Sequence, residues 1–189
     1  MQVNSTDLRV IPVRGSRILI SAILTIGHST RSLGEFISIL KSHGVEKVVD
    51  IRTIPRSRKN PQFNRETLPE ELEKENIKYV HFSLLGGLRK ARPDSINTAW
   101  ENESFRGFAD YMQTRDFAKG IDEVIAMAGE VRLALMCAEA LPWRCHRSLV
   151  ADALVARGIP VDHIMSLKKR NQHTMTRFAK VEAGRVNYP

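Results

Sequence analysis

Cysteine is scarce in this chain: Cys137 and Cys145 are the two thiols in 189 residues. Two cysteines make no disulfide framework, and no secretion signal precedes them, so a cytoplasmic protein with both thiols reduced is expected. Long apolar runs are missing too. The longest, residues 18–26, is broken by Ser21 and Thr25 and is far too short to span a bilayer, which excludes a membrane partner from the expectation. Negative charge is the third shortage. With 21 Asp and Glu against 29 Lys and Arg, the net charge is +8 and the pI about 9.8. The cations are mostly arginine, whose planar fork suits phosphate and carboxylate, so the expected partner is an anionic small molecule or a nucleic acid. Repeats, low-complexity segments, paired zinc-finger cysteines, recognition helices and oligonucleotide-binding signatures are all missing, which removes the usual modules for sequence readout.

What is present is an ordinary globular balance, 42% apolar and 26% charged. Short β-branched runs alternate with helical patterns. Strands are expected over 22–27, 45–52, 77–85, 131–137 and 161–165. Helices are expected over 33–44, about 68–75 with Thr67 as cap, 105–112, 117–129 and 142–158, the last opening on Pro142 and closing on Gly158. Residues 1–17 read as a frayed leader, 18–189 as one domain, and 166–189 as a basic tail that wraps back over it. Strands separated by single helices imply right-handed crossovers. The expected fold is therefore a three-layer α/β domain, a mostly parallel sheet of about five strands with helices on both faces.

Ligands of such a sheet bind in the crevice outside the carboxyl ends of the strands. The first strand ends in Gly27-His28-Ser29-Thr30 and the second in Asp50-Ile51-Arg52. The third ends near His81 and Gly86-Gly87, and the fourth in Cys137-Ala138-Glu139 followed by "ALPWRCHR". Thiol, imidazole, carboxylate and guanidinium thus gather at one edge.

The blocks "TIGHST", "VVDIRTIPRSRKNPQFN", "LGGLR", "FRGFADYM" and "MCAEALPWRCHRSLVADAL" resemble the domain of unknown function 488 family. The resemblance runs in order from about Leu24 to Pro189 and implies an α/β domain with these blocks on one side. It implies no particular reaction, which has to be argued from the residues.

Cys137 leaves a strand for a loop and a helix, the arrangement in which helix N–H groups hold an anion and depress a thiol pKa. Arg144 follows after six intervening residues, one more than in a phosphatase loop, and the glycines of that loop are absent. Cys137 is either a nucleophile, with Glu139 or His146 moving protons and Arg144 or Arg147 clamping an anion, or a buried strand-end residue. Asp50 is a candidate base, or merely the partner of Arg52. The stretch 51–65 carries Arg52, Arg56, Arg58, Lys59 and Arg65 without one acid, and points to phosphate contact. His28, Ser29 and Thr30 are substrate-binding candidates, with Ser29 or Thr30 also able to cap the next helix. A zinc site from Cys137, Cys145, His146 and Glu139 or His28 is the alternative use of these residues, but Cys145 and His146 as helix neighbours would point about 100° apart, so no metal or other cofactor is expected. Two readings result: an enzyme, hydrolase or transferase, acting on a phosphorylated or anionic substrate, or a non-catalytic nucleic-acid-binding or regulatory domain.

Overall fold

The computed structural model of the chain describes residues 9–13 and 16–189. Much of the expected leader, residues 1–8, 14 and 15, lies outside the described residues. Its described part is β1 (Arg9–Val13), which pairs antiparallel with β2 (Ser16–Ile20).

The central sheet contains β3 (Ile23–Gly27), β4 (Lys47–Asp50), β5 (Lys78–His81), β6 (Leu133–Cys137), β7 (Val161–Ile164) and β8 (Arg170–Gln172). Their order is β5-β4-β6-β3-β7-β8. The first five are parallel, at the positions the apolar runs indicate, and β8 from the tail adds an antiparallel edge. β6 and β3 lie in the middle and are buried at every residue, as a sheet covered on both sides requires.

Side-chain alternation divides the core between two faces. Leu133 and Leu135 of β6 and Val49 of β4 pack against α3 (Glu103–Tyr111), α4 (Arg115–Glu130) and α5 (Arg147–Val155), through Phe108, Ile121, Val124 and Leu149. Ala134, Met136, Val48 and Leu24 pack against α1 (Leu33–Ser42) and α2 (Leu68–Glu73), through Phe36, Leu40, Leu68 and Leu72. By the same parity Asp50 belongs to the α1–α2 face, while Ile51 and Cys137 belong to the α3–α5 face.

The helix boundaries correct three sequence expectations. The cap of α1 is Ser32, whose Oγ accepts from the Glu35 N–H at 3.2 Å, and not Ser29 or Thr30. Ser29 instead adopts a left-handed φ of 51°, a sharp exit from β3. Thr67 makes no capping bond at α2. The helix expected from Pro142 begins only at Arg147. Pro142–Arg144 form a single 3₁₀ turn, and Cys145 is extended, with φ −135° and ψ 146°. Proline satisfies the first position of either helix type, so the residue alone cannot separate the two.

The tail does return to the domain. After β8 it forms a hairpin of β9 (Lys180–Glu182) and β10 (Arg185–Asn187). Val186 and Tyr188 then enter the α3–α5 core, and the Tyr188 hydroxyl donates to Asp152 on α5 at 2.8 Å.

Candidate functional site

Parallel strands in register bring their ends together. Gly27 pairs with Cys137, and beyond the ladder the His28 and Ser29 N–H groups bond the Cys137 and Ala138 carbonyls at 3.0 and 2.9 Å. Gly27 is required there: a Cβ would lie 1.9 Å from the Glu139 carbonyl oxygen. A cavity of about 610 Å³ opens over these ends, walled by the loops after β3, β4 and β6, the Gly87-Leu88 segment and the start of α3.

Of the residues singled out in the sequence, His28, Ser29, Thr30, Arg52, Arg56, Cys137, Glu139, Arg144 and His146 line this cavity. Asp50, Arg58 and Arg147 do not. Asp50 is wholly buried and takes four contacts from Arg52, from its N–H and Nε to Oδ1 at 3.1 and 2.9 Å, and from Nε and Nη2 to Oδ2 at 3.1 and 2.6 Å. The Tyr79 hydroxyl adds a fifth at 2.7 Å. Burial opposes the Arg52 charge, yet the bonds it donates to Asp50 outweigh this and raise the Arg52 pKa. Arg52 also donates to the Phe63 carbonyl at 2.7 Å, and its Nη1 lies 3.2 Å from His28 Nε2. Its charge is balanced internally, so the pair is a brace under the cavity.

His28 leans on that brace. Its ring stacks on Phe63, centroids 4.3 Å apart, and Nδ1 donates to the Ser29 carbonyl at 2.9 Å. Burial, with the Arg52 cation beside it, lowers its pKa to about 4. At neutral pH it is an uncharged imidazole with a fixed tautomer.

The other side of the cavity floor holds sulfur. Cys137 and Cys145 are both buried, and His146 Nδ1 lies 4.0 Å from the Cys137 sulfur and 3.7 Å from the Cys145 sulfur. All three donor atoms are within 4.8 Å of one another. His146 Nε2 lies 3.2 Å from the Ile51 carbonyl, which can only accept, so the proton sits on Nε2 and Nδ1 turns its lone pair to the sulfurs. The extended backbone at Cys145, with α5 starting beyond His146, lets both side chains face one point. The 100° divergence of helix neighbours therefore does not apply. Gly87 lies against this point: a Cβ there would be 2.4 Å from Nδ1.

The two thiols share a proton unequally. A hydrogen bond from Cys137 outweighs burial and pulls the Cys145 pKa well down, and the same bond with burial pushes that of Cys137 up. The start of α5 contributes its positive dipole end nearby. Cys145 is the cavity residue that the sequence reading placed on a helix flank; its signal was adjacency to His146.

Arg147 adds a smaller contribution to this field. It is 1% exposed and, among the described residues, no carboxylate pairs with it and its Nε meets no acceptor; Nη2 donates to the Glu139 and Ala140 carbonyls at 2.5 and 3.3 Å, and Nη1 to Thr25 Oγ1 at 3.3 Å. Behind it runs a buried polar chain. Thr25 Oγ1 is 2.7 Å from His163 Nδ1, His163 Nε2 is 3.0 Å from His173 Nδ1, and His173 Nε2 is 2.8 Å from Asp152 Oδ1. Burial and the neighbouring His173 lower the His163 pKa to about 3.

At the mouth, Arg144 is an exposed cation with no ion pair among the described residues, whereas Arg56 is held by Glu66 at 3.0 Å. Ile54 and Leu88 stand exposed on the cavity wall. Among the described residues no helix is long and apolar enough to cross a membrane.

No curated protein and no solved structure matches the chain. A family model, Domain of unknown function DUF488, matches residues 32–154, a stretch that includes the brace, both sulfurs, His146 and Arg147. On that match the chain belongs to the DUF488 family.

Proposed function

We propose that the protein is an enzyme that binds a phosphorylated or otherwise anionic substrate, a nucleotide or nucleic acid, in the cavity at the strand ends. The reacting centre in this reading is Cys137, Cys145 and His146. One observation carries it: the buried Arg147 cation, without a carboxylate partner among the described residues, acts on two thiols that line the cavity. An unbalanced buried charge is costly, and negative charge at the floor, whether a thiolate or a substrate oxyanion, offsets that cost. One sulfur serves as nucleophile, His146 moves protons, Glu139 stands at the rim as a second proton carrier, and Arg144 and Arg56 meet the anion on entry. The exposed apolar side chains of Ile54 and Leu88 on the cavity wall suit the uncharged part of a nucleotide-like molecule. The reaction class is hydrolysis or group transfer.

The test compares alkylation of reduced protein by iodoacetate and by iodoacetamide, with cysteines assigned by mass spectrometry. Faster reaction with the anionic reagent at Cys137 or Cys145, and protection by inorganic phosphate or adenosine monophosphate, supports the reading. A preference for the neutral reagent together with no protection by either anion refutes it.

A further inference from the structure

The geometry of the sulfur–imidazole cluster assigns it a second capacity, independent of the substrate. We propose that Cys137, Cys145 and His146 form a binding site for a soft divalent cation of the zinc type, with its fourth coordination position open to the cavity.

Tetrahedral zinc with Zn–S of about 2.3 Å and Zn–N of about 2.0–2.1 Å places a sulfur and a nitrogen donor about 3.5 Å apart. The sulfur-to-Nδ1 separations here are 3.7 and 4.0 Å. Closing on an ion therefore needs shifts of a few tenths of an ångström in each donor, within reach of side-chain rotation. Orientation is supplied in advance. His146 is anchored through Nε2 on the Ile51 carbonyl, the outer bond that metal-bound histidines almost always make. Space is supplied by Gly87, whose missing Cβ leaves the region beside Nδ1 clear. Access is supplied by the cavity, since all three donor residues line it. Three protein ligands with a vacant fourth position distinguish a reactive metal centre from a closed structural one.

Charge shapes the fourth position. Two thiolates neutralise a divalent ion, which leaves the Arg147 cation uncompensated. An anionic fourth ligand, hydroxide or an oxygen of phosphate, balances it. Loading also withdraws both sulfurs from nucleophilic chemistry, so the metal-bound and metal-free states differ in thiol reactivity.

The experiment is a cobalt titration of the reduced, metal-free full-length protein under inert gas. One equivalent of Co2+ is expected to produce a sulfur-to-cobalt charge-transfer band and the intense visible bands of a tetrahedral site, both bleached by Zn2+. Zn2+ is expected to slow maleimide labelling of both cysteines at least about tenfold, with a chelator restoring it. Gly87→Ala, which crowds Nδ1, should weaken Co2+ binding roughly 10–100-fold, as loss of ligand orientation does at other sites. Absence of the charge-transfer band with unprotected thiols overturns the proposal, as does equal Co2+ binding by a folded Cys137→Ser/Cys145→Ser variant. Where that double variant does not fold, wild-type protection alone decides. Anion-selective alkylation without metal binding would sink this inference and leave the substrate reading standing; metal binding without anion selectivity does the reverse.

Discussion

Replacing Asp50 with asparagine removes one charge and almost no volume, so the result measures electrostatics. The Asp50 carboxylate is fully buried, Arg52 is 5% exposed, and the two are joined through Nε and Nη2 with a shortest contact of 2.6 Å. Asparagine keeps an acceptor for one of these bonds but leaves the guanidinium uncompensated in the core. Breaking a buried pair from one side costs about 3–5 kcal/mol. For a chain of this length that corresponds to a thermal midpoint lower by roughly 6–20 °C. A second variant separates pairing from packing: Asp50→Leu with Arg52→Met removes both charges and should cost less than Asp50→Asn, because no lone ion remains. Tyr79→Phe, which deletes only the hydroxyl donor to Asp50, should cost about 1.5–3 kcal/mol, the range for a bond to a charged group. The assay is urea unfolding followed by far-UV circular dichroism, comparing midpoints at constant slope. An Asp50→Asn cost below about 1 kcal/mol, or a double variant worse than the single one, would refute the picture of a charged brace.

Acid should destabilise the protein in a defined window. His28 and His163 are held neutral, with pKa values of about 4 and about 3, against about 6.5 in the unfolded chain, so the unfolded state binds protons first. Their stabilisation is complete above pH 6.5 and is lost as pH falls below it, about 3 kcal/mol from His28 by pH 4; thermal midpoints of wild type and His163→Asn across pH 4–7 check this by slope. Tyr188→Phe should cost about 1.5–3 kcal/mol in urea unfolding, because Asp152 loses its hydroxyl donor, and an unchanged midpoint would contradict the tail's place in the core. Arg144→Ala should reduce the iodoacetate preference of the cavity thiols several-fold with little change in stability, whereas Arg58→Ala, outside the cavity wall, should leave the preference as it is.

The strands were readable because a sheet covered on both faces needs continuous apolar runs, and "LALMC" or "ILTIG" fit no amphipathic helix of that length. The crevice at their ends followed from parallel order alone. Local backbone choices were less readable. Pro142 is equally at home opening an α-helix or a 3₁₀ turn, and the difference decides whether Cys145 and His146 converge. Ser29, Thr30 and Ser32 are all competent caps by residue type, and the helix begins on Ser32. Arg52 and Arg147 look alike in sequence with the rim arginines, but one is matched by Asp50 two residues away and the other points into the core. The polar chain through His163, His173 and Asp152 joins β7, the tail and α5, and no local pattern foretells it. Its faint signal was Asp152 itself, an acid in the otherwise apolar helix stretch "LVADALV".

The adjacency of Gly27 and Cys137 in the sheet has a kinetic meaning. The two residues are distant in sequence, and β7 must also dock on β3 before Thr25 meets His163. Contacts between such remote segments close late, because loop entropy has to be overcome before they form. Until then Cys137 and Cys145 are ordinary thiols on an open chain, without Arg147 behind them or Gly87 beside them. The rate at which a thiol reagent meets resistance after dilution from denaturant is thus a clock for completion of this fold, read from the same two atoms on which its chemistry depends.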